Sequence, residues 1–174
     1  IDSVATPEWS AYLQSRPKPY MLLGVQTPQN LEDLTYGQLI ELQRIRNVAR
    51  EAFPTICRVV LDVKDKDKVM QCEAEAMAGF FYWVVGEVKR IDKLFEDAQR
   101  KPTADEIAAG ILDKRQSPIR MIDWYARRMG ITSHDAVLEV KWLIIYECFA
   151  NDNDDDAYQR RYSEVIANKH KRHK

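Results

Sequence analysis

Residues 69–98 read VMQCEAEAMAGFFYWVVGEVKRIDKLFEDA. Within this stretch Phe80, Val84, Val88, Ile91 and Phe95 recur at three- and four-residue spacing, and Glu87, Arg90, Lys93 and Asp97 take the opposite side. That period predicts a long amphipathic helix ending near Ala98, with one apolar face on a core. Its segment Ala76–Gly86 is the longest uncharged apolar run, at eleven residues. A membrane span needs about 20 such residues, so the run reads as a buried helix segment. Gly79 and Gly86 each cost roughly 1 kcal/mol in a helix interior. Their position beside Phe81, Tyr82 and Trp83 points to close packing.

Upstream of this helix, Lys64-Asp65-Lys66-Asp67-Lys68 reads as a solvated connector. Before it, Pro54 opens an apolar stretch in which Ile56, Val59, Val60 and Val63 are β-branched. Such residues favour strands, but no partner strand is evident elsewhere, so helix is the expectation. Earlier still, Thr35 and Gln38 are placed as a capping box, and Leu39, Leu42, Ile45 and Ala49 follow at helical spacing. Four of the seven prolines, Pro7, Pro17, Pro19 and Pro28, precede it. Proline lacks a backbone donor and disfavours helix at the residue before it. Residues 1–33 therefore read as an extended arm, with a short turn around Glu8–Gln14. The arm lies either on a neighbouring surface or wrapped on its own domain.

Downstream, three helix starts are marked. Thr103-Ala104-Asp105-Glu106 fits a capping box, Ser117-Pro118 a cap with proline at the first helical position, and Ser133-His134-Asp135 a cap with an acid in the first turn. Gly130 suits a helix stop. From Ser133 to about Ala150 the sequence is apolar almost all round, which predicts one central or interfacial helix. Asn151–Asp156 reads as a solvated linker leading into a last helix from Asp154 to Asn168, and residues 169–174 as a basic tail. The expected architecture is mostly α: an arm over 1–33, then one domain of about six to eight helices over 34–168.

Composition agrees with a folded chain. Of 174 residues, 45% are apolar and 30% charged, which is outside the disordered range. Lys plus Arg numbers 26 against 27 Asp plus Glu. That balance supplies no global field toward nucleic acid or anionic lipid. The start, Ile1-Asp2-Ser3-Val4, lacks the basic and apolar parts of a signal peptide. Cys57, Cys72 and Cys148 are odd in number and widely spaced, so they read as reduced thiols of an intracellular protein.

No catalytic motif stands out. There is no Walker loop, no GxGxxG and no HExxH, so neither a cofactor nor a metal site is expected. The body holds one histidine, His134, and no cysteine sits in a nucleophile context. Asn151–Asp156 resembles the acidic start of a calcium loop, but positions six and twelve, counted from Asp152, hold Ala157 and Ser163. Those positions require glycine and glutamate. The stretch Ala126–Val137 has the grammar of a helix-turn-helix, with Arg127 and Arg128 before the turn. Together with Lys169, Lys171, Arg172 and Lys174 it forms an alternative reading as a nucleic-acid-binding module. Its second helix is bulky and apolar, which suits a core better than a groove. Aromatic residues favour protein contacts. The candidate partner-binding residues are Pro17 and Tyr20 of the arm, with Trp83, Trp124, Trp142 and Tyr146.

Several short blocks share an order with a known group. Leu34-Thr35-Tyr36-Gly37-Gln38-Leu39-Ile40-Glu41-Leu42 opens the series, and Glu106-Ile107-Ala108-Ala109-Gly110-Ile111 lies at its centre. Ile122-Asp123-Trp124-Tyr125-Ala126 and Asp135-Ala136-Val137-Leu138 follow, and Tyr158-Gln159-Arg160-Arg161-Tyr162-Ser163-Glu164-Val165 closes it. In this order the chain resembles small bacteriophage morphogenesis proteins, of the kind of tail-assembly chaperones or accessory virion proteins. The resemblance implies a helical, non-enzymatic protein that binds other virion or tail components, in the host cytoplasm or in the particle. A homo-oligomer is compatible with it. It transfers no functional residue.

Overall fold

A computed structural model describes residues 7–45, 52–111 and 117–172. Among them are nine helices and one two-stranded hairpin, so the chain is mostly helical as expected. The chain divides into two compact units, Ile1–Ile91 and Asp92–Lys174.

The first unit begins with α1 (Pro7–Gln14), where a short turn was expected. A hairpin follows, with β1 (Met21–Leu22) antiparallel to β2 (Val25–Gln26). Its two-residue loop places Leu23 at φ 55° and Gly24 at φ 80°. Two successive positive φ values match the twist of paired strands. Of the two places open to the arm, the described part takes its own unit. Leu22 and Leu31 are buried, and so is Thr27. The Thr27 hydroxyl donates to the Pro19 carbonyl at 2.5 Å, so the buried polar group is satisfied.

Next, α2 (Tyr36–Gln43) starts on the expected capping box. The Thr35 hydroxyl accepts from the Gln38 amide at 3.2 Å, and Gln38 Oε1 accepts from the Thr35 amide at 2.8 Å. The expected continuation is not met at Ile45: α2 ends at Gln43 with Arg44 as its cap, and Ala49 lies outside the described residues. The β-branched stretch is helix, α3 (Ala52–Leu61), with Ile56, Cys57 and Val59 buried. Pro54 sits in its first turn, where a missing N–H loses no helical bond. Asp62 at φ 53° ends α3, and the Val63 amide donates to the Cys57 carbonyl at 3.1 Å. The left-handed residue turns the chain back so that this bond, six residues long, satisfies a carbonyl at the helix end. The expected connector is solvated but partly helical: α4 (Lys66–Met70) starts on Asp65, whose carboxylate accepts from the Lys68 amide at 3.0 Å.

The long helix is α5 (Ala74–Ala98), ending at the predicted residue. Phe80, Val84, Val88 and Ile91 of its apolar face are buried. The two glycines differ. A Cβ at Gly86 would meet nothing within 4 Å, whereas one at Gly79 would meet the Pro17 backbone. The close packing is thus helix against arm, at one glycine only.

In the second unit, α6 (Ala104–Ala108) carries the expected Thr103–Glu106 capping box. Helix α7 (Pro118–Met129) begins with Pro118 in its first turn, although the Ser117 side chain makes no capping bond. Gly130 closes α7 at φ 67°. The single helix expected over Ser133–Ala150 is instead two, α8 (His134–Leu138) and α9 (Trp142–Arg172). Val137 and Trp142 are both fully buried. In one unbroken helix, five residues at about 100° each would set them roughly 140° apart. The break at Glu139–Lys141 lets both face inward.

Helix α9 also runs through Asn151–Asp156, which was expected as a linker. Tertiary partners compensate the acidic run. The Asn153 side chain donates to the Phe149 carbonyl at 2.7 Å and accepts from the Arg100 amide at 3.2 Å. Arg128 Nε donates to both Asp152 oxygens at 3.1 Å. At 31 residues, α9 is about 46 Å long.

Candidate functional site

In the first unit, the arm is held to α5 by charge and by an aromatic face. The Tyr12 hydroxyl donates to Glu75 at 2.9 Å and accepts from Arg16 at 3.1 Å. Arg16 also lies 3.5 Å from Glu75. The neighbouring carboxylate pushes the Tyr12 phenol up, since it favours the neutral donor. Lys18 Nζ lies 4.2 Å from the Trp83 ring centre and donates to the Pro28 carbonyl at 2.5 Å. That cation–π contact occupies one face of Trp83, and Phe80 stacks near it at 5.8 Å. Trp83 is therefore half-buried under its own arm. Pro17 is exposed, with its carbonyl turned to Gly79. Tyr20 is 72% exposed. Of the three candidates in this unit, Tyr20 presents the most surface.

In the second unit, Phe95 is the centre of an aromatic cluster. Its ring lies 6.3 Å from Trp142, 5.4 Å from Tyr146 and 6.0 Å from Phe149. Trp124 meets Phe149 edge-on at 5.8 Å. Edge-on and tilted geometries of this kind suit the ring quadrupoles. Trp142 is 0% exposed, so it builds the core and offers no contact surface, a correction to its place among the partner-binding residues. Trp124 and Tyr146 are half-buried and chiefly serve this cluster.

The helix-turn-helix reading meets its own correction. Helix α8 has five residues, too few to lie along a groove. The Arg128 guanidinium is held by Asp152 and also lies 3.3 Å from Cys148 Sγ. Arg127 is exposed, and its Nε donates to the Asp123 carbonyl at 3.2 Å. His134 Nε2 lies 2.8 Å from Asp123, which ties α8 to α7. Lys169 is exposed on α9. The side chains of Lys171 and Arg172, and the whole of Lys174, lie outside the described residues. The residues named for this reading do not gather into one described patch.

A different surface escaped the site prediction. Tyr158, Tyr162 and Val165 are 54%, 52% and 51% exposed, and the two tyrosine rings stack at 6.2 Å. They recur at the four- and three-residue spacing of one helix face. The opposite face of α9 carries Phe149, Asn153 and Arg160. Arg160 lies 3.2 Å from Glu106, which accepts two bonds of 2.8 Å from Arg100. These cations and the Thr103 amide hold the Glu106 carboxyl well below the usual carboxylate range, with Arg100 the largest cause. The 158, 162, 165 spacing was legible in the sequence. What the sequence lacked was the knowledge that Arg160, on the other side, is the residue drawn to Glu106.

The thiols are placed as core and half-buried groups. Burial pushes the Cys57 thiol up to about 11, and its Sγ lies 3.9 Å from Met77 Sδ. Among the described residues, no group of three His, Cys, Asp or Glu side chains could hold a metal ion. Among them also, no helix is long and apolar enough to cross a membrane. Compared with known proteins, the chain matches no family model, no curated protein and no solved structure.

Proposed function

We propose that this chain is a non-enzymatic assembly protein that works by protein–protein contact, in tailed-phage particle building. It acts there as a tail-assembly chaperone-like factor or a virion subunit, in the host cytoplasm or in the particle. The observation that carries the reading is the exposed stripe of Tyr158, Tyr162 and Val165 on a long helix. Large apolar side chains aligned on one solvent-facing stripe mark interaction surfaces. Tyr20 on the hairpin of the other unit adds a second exposed aromatic. The resemblance of the blocks from Leu34 to Val165 supplies the phage context.

The test is a pull-down of the tagged chain from phage-infected producing cells, washed at high salt and analysed by mass spectrometry. Tail or capsid proteins should remain bound, and Tyr158→Lys with Tyr162→Lys should release them. Loss of all bound protein in the wash, with only nucleic acid recovered before it, refutes the reading. Nucleic-acid binding through counterion release is the mode that falls steeply with salt.

A further inference from the structure

The outward face of α9 carries more than its apolar stripe. At about 100° per residue, Asp155, Tyr158, Tyr162, Val165 and Lys169 fall within an arc of roughly 80°. All five are exposed. Phe149, Asn153 and Arg160, which contact other elements of the unit, lie on the opposite side, and Asp152, held by Arg128, lies at the flank. The face therefore reads, along the helix, acid, three apolar groups, base. Asp155 and Lys169 are each seven residues from Tyr162, or about 10 Å.

Such a face is complementary to itself when reversed. We infer that α9 pairs antiparallel with α9 of a second copy of this chain, about a two-fold axis at Tyr162. In that arrangement Tyr162 meets its own counterpart and Tyr158 lies beside Val165 of the other copy. Asp155 of each copy faces Lys169 of the other. A two-fold interface has this property by construction: where one residue contacts a second, the second contacts the first. The charges select the direction. A parallel pairing would set Asp155 against Asp155 and Lys169 against Lys169, and like charges across an interface are repulsive. Asp154 and Asp156 reinforce the acidic end, and the sequence beyond Lys169 reinforces the basic one. Arg160 and Glu106, held on the far side of the helix, stay out of the seam.

The apolar contact is short, three side chains from each copy. It lacks the repeated heptads of a stable coiled coil, so the association is weak and reversible and depends on its end charges. Two exposed ion pairs at the ends are sensitive to salt. The inference rests on the assembly reading and names a second copy of this chain as what covers the stripe, so the changes at Tyr158 and Tyr162 release virion proteins by breaking the pair. Its test separates from that reading, because a chain that stays monomeric yet captures virion proteins fails here alone.

The experiment is sedimentation equilibrium of the whole chain at low salt, over a concentration series reaching a few hundred micromolar. The weight-average mass should climb from 20.3 kDa toward twice that value. Asp155→Lys alone, and Lys169→Asp alone, should each weaken the association about tenfold, since each turns two attractive pairs into two repulsive ones. The double variant Asp155→Lys with Lys169→Asp should restore it. Both positions are exposed, and far-UV circular dichroism checks that the variants keep their helix content. A wild-type chain that remains at 20.3 kDa throughout overturns the inference. So does association that neither single change weakens, or a double variant no better than the singles.

Discussion

Gly79 and Gly86 lie on the same helix, α5, and their replacement by alanine changes stability in opposite directions. The intrinsic gain is the same at both, about 1 kcal/mol for alanine over glycine in a helix interior. At Gly86 the added Cβ meets nothing within 4 Å, so the full gain is realised. For a chain of this size that raises Tm by about 2–4 °C. At Gly79 the Cβ would fall under 3.0 Å from the Pro17 carbonyl oxygen, 3.1 Å from its carbonyl carbon and 3.3 Å from Arg16 Cβ. Two of these three atoms are backbone, in a segment tied down on both sides. Tyr12 and Arg16 hold Glu75, and Lys18 holds the Pro28 carbonyl and the Trp83 ring. Relieving the clash means lifting that segment and stretching those contacts. Overpacking of this kind costs typically 1–3 kcal/mol, and each net hydrogen bond lost adds about 1 kcal/mol. After the helix gain, Gly79→Ala should lose about 1–3 kcal/mol. Urea titration followed by tryptophan fluorescence measures both variants. Chymotrypsin should also cut faster at Tyr20 in Gly79→Ala. A Gly79→Ala chain as stable as Gly86→Ala, with unchanged cleavage, refutes the packing of arm on helix.

Three further expectations follow from single groups. Trp142→Ala removes a fully buried ring from the aromatic cluster and should cost about 3–5 kcal/mol in urea unfolding. The Glu106 carboxyl is depressed in the folded chain by Arg100, Thr103 and Arg160. Its contribution is therefore present above the unfolded carboxylate pKa of about 4.3 and is lost as pH falls below it. Thermal melts should show the wild type losing part of its stability below about pH 4.5, and Glu106→Gln should show a shallower acid decline. The buried Cys57 thiol, raised to about 11, should resist a disulfide reagent at pH 8 in the native chain. Counting released thiolate after unfolding should then recover all three cysteines.

Helix starts were legible because their chemistry is local. Thr35 and Gln38, Thr103 and Glu106, and Ser133 with Ala136 each bond within three residues. Gly130 supplies the positive φ at the end of α7 within the same few residues. The α5 face was legible because a helix repeats its geometry, so one periodic stretch reports one buried side. The candidate contact residues were less legible. Tryptophan is equally at home in a core and at an interface, and nothing in the neighbourhood of Trp142 distinguishes the two. Tyr158 and Tyr162 carried a readable spacing, but spacing alone does not say which side faces water.

By itself, then, the sequence determined the helical class, most helix starts and the face of α5, because those depend on bonds and periods spanning a few residues. Tertiary structure decided where the arm lies, where the late helix breaks and whether it runs through the acids. Each of these rests on partners far apart in the chain: Tyr12 on Glu75, Arg100 on Asn153, Arg128 on Asp152. Read locally, Asn151–Asp156 is a run of like charge that repels itself and favours a linker. With Arg128 drawn to Asp152 and the Arg100 amide on Asn153, the same run continues as helix. Burial likewise belongs to the whole fold: Val137 and Trp142 can both turn inward only because the backbone breaks between them.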